Sequence, residues 1–357
     1  EAEGKIFEIS QRAQKRDVTS IDLVIEEAFE RMRNASKNEG NISGIPSGFT
    51  ELDKITSGWQ KSDLVIIAAR PAMGKTAFVL SMAKNIAVDF GIPVAIFSLE
   101  MSNVQLVNRL IMNVCEIEGD KIKNGRLSKQ EWNKMETKIN ELMGAPIYID
   151  DTPGLSIFEL QSKARKLVRE KGVELIIIDY LQLMNANGAN FGSREQEVSI
   201  ISRRLKWIAK ELDIPVIALS QLNRNVEKRD SSNSNVEGKK PQLSDLRESG
   251  AIEQDADMVC FIHRPEYYRI FNDDKTGKDL RGLGQIIVAK HRNGATDEVW
   301  MRFIGKYAKF QNESDDFDQS IYDTPAESSS TNTTFQSRMN SLSEADGAKL
   351  DDDITPF

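Results

Sequence analysis

The chain has 357 residues, of which 39% are hydrophobic, enough for one large α/β domain with extensions or for two domains. Its net charge of −8 is concentrated from Gln311 onward, where eleven acidic residues face two basic ones, so the preceding 310 residues carry about +1 and remain compatible with nucleic-acid binding. The chain has no apolar run of about 18 residues, no leader-like pattern at its start and only two histidines, so we expect no membrane span, no secretory signal and no Cys/His zinc site.

The first 43 residues are polar except for one amphipathic stretch. Because the chain begins at Glu1 rather than Met, we expect it to be a piece of a longer protein. A helix is predicted at about residues 19–33, with an apolar stripe of Ile21, Val24, Ile25, Ala28 and Met32. A lone helix of this length is marginal in water, so the stripe packs either on its own domain or on a neighbouring copy. Residues 34–43 predict a flexible linker.

The stretch from Leu64 to Ala87 predicts a buried strand, a tight loop and a helix that opens at Lys75. The loop ARPAMGKT nearly matches the phosphate-binding pattern G-x-x-x-x-G-K-[ST], with alanine in place of the first glycine. The backbone N–H groups of such a loop, together with the helix N-terminus, form an anion site. The residues predicted to bind nucleotide are Ala69, Arg70, Pro71, Ala72, Met73, Gly74, Lys75 and Thr76.

Three residues of this loop have predicted roles. Gly74 would let the backbone approach a phosphate, Lys75 would reach the β- and γ-phosphate oxygens, and the Thr76 hydroxyl would hold Mg²⁺. The alternative is an ordinary strand–turn–helix in which Gly-Lys-Thr occurs by chance.

Two further buried strands end in carboxylates. The strand from Val94 ends at Glu100, which is placed to orient an attacking water or, alternatively, simply faces solvent. The strand that begins at Leu175 ends at Asp179, which is placed to hold Mg²⁺ through its water shell. A third strand, from Ile214, ends in polar residues that include Ser220 and Gln221.

The rest of the chain alternates predicted helices and strands. The predicted helices are Asn103–Asn113, Ser128–Leu142, Ser156 to about Lys171, and one that contains Val198 to Leu212. The segments GQIIVAKHRNG and EVWMRF predict an edge hairpin, the polar residues 225–242 predict a mobile loop, and the residues from Gln311 predict disorder. We therefore expect an α/β fold with a mostly parallel central sheet flanked by helices. It would be divided into a linker (1–43), a motor domain (44–312) and an acidic tail (313–357).

The motifs ARPAMGKT, FSLEM, IIIDYLQL, ALSQLNR, DLRESGAIEQDAD and AKHRNG, in this order, resemble those of bacterial replicative hexameric DNA helicases of the DnaB type. The resemblance runs from the first helix to about Asn312, and Ala69 matches the usual loop of that family. It implies a RecA-like motor preceded by an isolated linker helix. The helical N-terminal domain of the family has no counterpart in the chain, so the collar and primase docking of that domain are not implied.

The resemblance also implies roles for single residues. Lys75 and Thr76 would bind phosphate and Mg²⁺, Glu100 would be the general base, Asp179 the acid of the metal shell and Gln221 a sensor of the γ-phosphate. The complete set of Lys75, Glu100, Asp179 and Arg292 argues against a dead ATPase.

Two further groups of residues would act outside the chain's own nucleotide site. Lys290 and Arg292 would enter the neighbouring subunit's site as a basic piston and an arginine finger, unless they form only a solvated strand end. Arg247, Glu248 and Gly250 would lie along single-stranded DNA, unless Arg247 is a surface residue paired with a nearby carboxylate.

The resemblance implies an ATP- and Mg²⁺-dependent motor that forms a homohexamer and translocates 5′ to 3′ on single-stranded DNA. By the same resemblance, this motor would act in the cytoplasm at the nucleoid, not at a membrane, beside replisome proteins such as primase, a helicase loader and a clamp-loader subunit. Two other interpretations remain open at this stage. One is a RecA-like recombination or repair ATPase that forms filaments, and the other is a nucleotide-gated clamp or scaffold without unwinding activity.

The C-terminal segment LDDDITPF resembles the tip of bacterial single-stranded-DNA-binding proteins, with Thr355 interrupting the match. The terminal Phe357 offers an apolar anchor beside a carboxylate, which a small basic pocket of a partner could capture. A tail that acts only through its negative charge is the alternative.

Overall fold

The computed structural model describes residues 20–35, 42–186, 193–223, 236–246 and 250–315. Its α-helices are α1 (Ile21–Ala35), α2 (Thr50–Thr56), α3 (Lys75–Lys84), α4 (Asn103–Cys115), α5 (Gly119–Asn124), α6 (Lys129–Met143), α7 (Ile157–Lys171), α8 (Arg194–Leu212) and α9 (Gly250–Asp255). Its strands are β1 (Leu64–Ala69), β2 (Val94–Ser98), β3 (Ile147–Asp150), β4 (Leu175–Asp179), β5 (Val216–Gln221), β6 (Met258–His263), β7 (Leu283–His291), β8 (Asp297–Ile304) and β9 (Lys309–Asn312). Within these ranges no helix is long and apolar enough to cross a membrane.

The strands form one nine-stranded sheet in the order β3-β2-β4-β5-β1-β6-β7-β8-β9. The pairs from β3 to β6 are parallel, and β7, β8 and β9 continue the sheet in antiparallel fashion. The predicted mostly parallel α/β sheet is confirmed. The predicted hairpin is β7–β8, but β9 rather than β8 is the edge strand, so its predicted place at the edge was wrong. Strand β9 was not predicted, because four residues with three polar side chains carry little strand signal.

The central strand β1 is buried on both faces, which explains its continuous apolar sequence. Leu64, Ile66 and Ala68 pack in the same cluster as residues of α7 and α8. The alternate residues of β1 pack in a second cluster with α3 and α4. Both cysteines, Cys115 and Cys260, are buried and free.

The predicted helices begin where serine caps them. Ser102 and Ser128 each form a capping box with the residue three positions later, and the Ser156 side chain accepts a hydrogen bond from the Glu159 backbone N–H. Helix α4 continues two residues beyond the predicted end, to Cys115. The short helix α5 was not predicted, because six residues without a buried side chain show no apolar period.

The antiparallel strand β7 reverses the direction of the chain along the sheet. Its last residue, His291, pairs with Met258, which also pairs with Val65 near the start of β1. The residues after His291 therefore lie near the first residue of β1, at the amino ends of the parallel strands. The loop that follows Ala69 is at the other ends, roughly 15–20 Å away along the strands. A one-residue register shift opposite Val259 and Cys260 precedes this end of β7, and such bulges re-aim the side chains that follow.

Helix α1 begins and ends two residues later than predicted and presents its apolar side chains to solvent. Six large apolar side chains are exposed by 45–71%: Ile21, Leu23, Val24, Ile25, Phe29 and Met32. Most of the predicted linker, residues 36–41, and the predicted disordered tail beyond Asp315 lie outside the described residues.

Candidate nucleotide site

The loop between β1 and α3 has the geometry of an anion cradle. Gly74 caps α3 in a left-handed conformation with φ +94°, and Ala72 also has a positive φ of 64°. A Cβ added at Gly74 would lie 3.1 Å from the ring of Phe310 and 3.3 Å from that of Phe303. Glycine is therefore needed here for its conformation and for the aromatic side chains of β8 and β9 that support the loop.

The predicted metal ligands meet at the start of α3. The Thr76 hydroxyl donates a hydrogen bond of 2.8 Å to the Asp179 carboxylate at the end of β4, and the Lys75 ammonium donates to the Ala69 carbonyl at 3.2 Å. A hydroxyl beside one carboxylate is the oxygen donor set that Mg²⁺ uses with substrate phosphates and waters. These residues therefore fit the predicted ion, while the described ranges contain no cluster of three or more His, Cys, Asp or Glu side chains able to hold a metal.

The remaining predicted residues line the same cleft at the carboxyl ends of the strands. Glu100 is exposed just beyond β2, and its neighbour Leu99 donates a backbone hydrogen bond of 2.7 Å to the Asp179 carbonyl. Gln221 ends β5, and its backbone N–H donates to the Gln182 side chain at 3.3 Å. The cleft has a volume of about 870 Å³, which suits a nucleotide. It is lined by Arg70, Pro71, Ala72, Gly74, Lys75, Thr76, Glu100, Arg109, Asp179, Gln221, Phe303 and others.

Burial sets the electrostatics of the cleft. It lowers the pKa of Lys75, an effect that the carboxylates of Asp179 and Glu100 oppose. It raises the pKa of Asp179, which the hydrogen bond from Thr76 opposes. Both charged forms have lost water, so an anionic phosphate at Lys75 and a cation at Asp179 would each replace solvation that the protein has removed.

Two residues of the predicted loop could offer only backbone groups to a nucleotide. The side chains of Ala69 and Met73 are buried in the core and do not line the cleft. The Arg70 guanidinium, also buried, donates to the Leu222 carbonyl at 2.9 Å and ties the loop to the end of β5. The predicted nucleotide contacts therefore apply to their N–H groups rather than to every side chain.

Sequence reasoning missed Arg109. This residue lies on α4 and lines the cleft, and its positive charge opposes the rise in the pKa of Asp179 that burial causes. A guanidinium this close can bind a phosphate oxygen. A single arginine on an amphipathic helix has no distinguishing sequence pattern, so only the fold places it here.

The predicted trans-acting residues lie away from this cleft. Lys290 lies near the end of β7, and Arg292 directly follows this strand. Both are at the amino ends of the parallel strands, opposite the cleft. The Lys290 ammonium donates to the carbonyls of Glu253 and Ala256, the latter at 2.8 Å. Gly250 is exposed at the start of α9, whereas Arg247 and Glu248 lie outside the described residues. The predicted nucleotide-binding residues thus lie at the carboxyl ends of the parallel strands, and Lys290 and Arg292 lie at the opposite ends.

The edge that carries Arg292 contains a buried carboxylate with a perturbed pKa. Asp63 is 8% exposed, and burial together with the nearby Asp257 raises its pKa to about 6. The Lys206 ammonium, 3.9 Å away, opposes the shift. Because the folded pKa exceeds the unfolded one, the ionised carboxylate destabilises the fold above pH 6, and this penalty disappears as the pH falls from 6 towards 4.

We therefore expect Asp63→Asn to stabilise the protein at pH 8, by about 1–3 kcal/mol. The gain should be smaller by about 1 kcal/mol at pH 5, where much of the wild-type carboxyl is protonated. Urea unfolding of both proteins at the two pH values measures the difference. An equal gain at both would show that Asp63 is ionised over the whole range.

Comparison with known proteins matches residues 44–312 to the DnaB-like helicase C-terminal domain family. The chain is 45% identical over 319 residues to the replicative DNA helicase DnaB of Geobacillus stearothermophilus, covering 89% of this chain and 67% of that protein. It is also 45% identical over 312 residues to the replicative DNA helicase DnaC of Bacillus subtilis, covering 87% and 66%. The chain thus spans about two thirds of the length of these relatives.

Solved structures agree with the sequence comparison. The ATPase domain of G40P superposes with a TM-score of 0.74 at 42% identity, covering 83% of this chain and 99% of that one. A DnaB-like replicative helicase, described with its interactions with primase, superposes with a TM-score of 0.71 at 41% identity, covering 87% and 71%. The RecA-like fold and the resemblance drawn from the motifs are both confirmed, and the chain belongs to the DnaB-like helicase C-terminal domain family.

Proposed function

We propose that the chain is the ATP-driven motor of a replicative DNA helicase, which assembles as a homohexamer and translocates 5′ to 3′ on single-stranded DNA. The observation that carries the proposal is the contact between Thr76 and Asp179, made in one cleft with Lys75 and Glu100. This constellation joins a phosphate loop to a metal-binding carboxylate in a chain of the helicase family.

The residues divide the work of phosphoryl transfer among them. Lys75 and the loop N–H groups bind the β- and γ-phosphates, and Thr76 and Asp179 would hold Mg²⁺. The ion would neutralise charge on those phosphates. Glu100, exposed in the cleft, orients and deprotonates the attacking water, and Gln221 contacts the γ-phosphate. Arg109 supplies a further positive charge to the same phosphate.

Assembly would complete the site. Lys290 and Arg292 lie at the far edge of the sheet from the chain's own phosphate loop, so a neighbouring chain is the partner whose γ-phosphate they would reach. The apolar side chains of α1 are exposed in the single chain, which supports docking of this helix on an adjacent subunit.

Single-stranded DNA would contact the segment that contains Arg247, Glu248 and Gly250. Such binding depends on backbone phosphates and is indifferent to sequence. We also propose that the motor works at the nucleoid with replisome proteins, including primase, which is named with one of the similar structures.

Arg247→Ala should weaken single-strand binding about equally on different sequences. If Arg247 neutralises one phosphate, the slope of log affinity against log salt should flatten by about one unit. Titration of labelled oligonucleotides at several salt concentrations measures both quantities. Arg281→Ala, which removes an exposed arginine paired with Asp279 elsewhere, serves as the matched control. An unchanged slope in Arg247→Ala would remove this residue from the DNA contact.

The function itself is tested by three measurements on one preparation. These are unwinding of a forked duplex, ATPase activity with and without single-stranded DNA, and mass in solution. We expect a discrete oligomer that unwinds the fork only with ATP, whereas Lys75→Ala binds DNA without unwinding. Filaments that lengthen on DNA would favour a recombinase, and DNA-stimulated turnover without unwinding would favour a clamp.

A further inference from the structure

The Arg292 guanidinium forms hydrogen bonds with other groups of its own chain. Its Nη1 lies 3.4 Å from the Oδ1 atom of Asp257, and its Nη2 donates to the Gln254 carbonyl. Its backbone N–H also donates to the Asp257 carbonyl at 2.9 Å. The side chain is nevertheless 46% exposed. A guanidinium has five N–H donors in a rigid fork, so two can be fixed inside the chain while others face outward.

The Asp257 carboxylate is itself fixed. The residue is buried at the start of β6, where its Oδ2 atom accepts a hydrogen bond of 2.8 Å from the Leu64 backbone N–H. The same oxygen accepts a bond of 2.5 Å from the Lys206 ammonium, which also donates to the Ser62 carbonyl at 2.8 Å. One carboxylate oxygen is thus occupied by the sheet and α8, and the other faces Arg292.

The two oxygens of the Asp257 carboxylate therefore have different roles. The Lys206 ammonium offsets the negative charge of the Asp257 carboxylate in this buried place. The Oδ1 atom then restricts the rotation of a long side chain that would otherwise sample many rotamers. Groups that act on a transition state work best when neighbouring groups fix their orientation.

We propose that Asp257 is a positioning residue for Arg292: it orients the guanidinium so that its exposed donors point at the γ-phosphate in the neighbouring subunit's site. The inference rests on the proposed function, in which Arg292 acts between subunits. Asp257 itself touches no nucleotide, and its effect on turnover passes entirely through Arg292.

Asp257→Asn should lower kcat about 10–100-fold, the usual effect of losing an outer-shell partner. KM and the affinity for a non-hydrolysable nucleotide should change by less than about threefold, because the chain's own phosphate loop is at the other edge of the sheet. Asp63→Asn makes the same chemical change at the same edge, without a hydrogen bond to Arg292, and should retain kcat. Unchanged or faster turnover in Asp257→Asn overturns the proposal.

Complementation separates positioning from a general structural role. Asp257→Asn chains should regain activity when mixed with Lys75→Ala chains, whose Arg292 is intact, but not when mixed with Arg292→Ala chains. In one chain, Asp257→Asn added to Arg292→Ala should slow turnover by less than twofold further. Additive losses, or no recovery with Lys75→Ala, overturn the proposal.

The reference mixture is Lys75→Ala with Arg292→Ala. If it recovers and the Asp257→Asn mixture does not, only the positioning role fails. If neither recovers although subunits exchange, the trans site fails and the positioning role with it. Should Asp257→Asn not fold, Asp257→Asn/Lys206→Met removes both members of the buried pair and is read by the same mixtures.

Discussion

Chains carrying Lys75→Ala and chains carrying Arg292→Ala, each almost inactive alone, should recover ATPase activity when they are mixed. Lys75→Ala removes the cation proposed to bind the phosphates in its own cleft, where it lies beside Thr76 and Asp179. Arg292→Ala should leave that cleft and its nucleotide affinity intact, because Arg292 lies at the opposite edge of the sheet. An arginine finger contributes about 10³–10⁵ to the rate, so we expect turnover to fall by at least two orders of magnitude.

The ATPase activity expected in the mixture of the two variants can be calculated. In a random equal mixture of head-to-tail assemblies, about one interface in four pairs an intact loop with an intact finger. ATPase activity should therefore rise towards about a quarter of the wild-type value, far above either parent. The Lys75→Ala/Arg292→Ala double variant, which offers no intact half, should gain nothing when mixed with either single variant. A mixture that exchanges labelled subunits yet stays at parental activity would exclude Arg292 as a trans finger.

The second large effect should come from α1. Ile25→Asp places a carboxylate on the apolar stripe, so docking on an adjacent subunit would bury an unpaired charge. We expect sedimentation to show hexamers replaced by monomers, while circular dichroism shows a folded motor and the ATPase activity per chain collapses.

The control for this experiment is Leu23→Asp. Leu23 is also an exposed apolar residue of α1, but its side chain projects about 160° around the helix from Ile25. The same substitution there should leave the oligomer intact. If both variants remain hexameric, α1 does not hold the subunits together.

Local patterns sufficed for the parts of the site that lie on single strands and their loops. Apolar runs that end in a carboxylate predicted Glu100 and Asp179, and the Gly-Lys-Thr sequence predicted the cradle. They could not show that Phe303 and Phe310, more than 200 residues away, press against Gly74. That contact depends on β8 and β9 continuing the sheet beyond β7, which is a property of the whole topology.

Lys290 and Arg292 were identified only through the resemblance to a family. Their sequence reads equally well as the solvated end of a strand, because a basic residue there has no local partner pattern. Asp257 gave no functional signal either, since an aspartate before a strand is common in turns. Its relation to Arg292 arises from the antiparallel pairing of β6 and β7.

The reversal of β7 also determines how many working sites an assembly can have. If the phosphate loop and the finger of one chain face different neighbours, a row of n chains with free ends contains n − 1 complete sites. Its last two half-sites, one with a loop and one with a finger, stay separate until the ends meet. Closure then adds one site without adding a chain, so ATP turnover per chain would report directly on whether the assembly is open or closed.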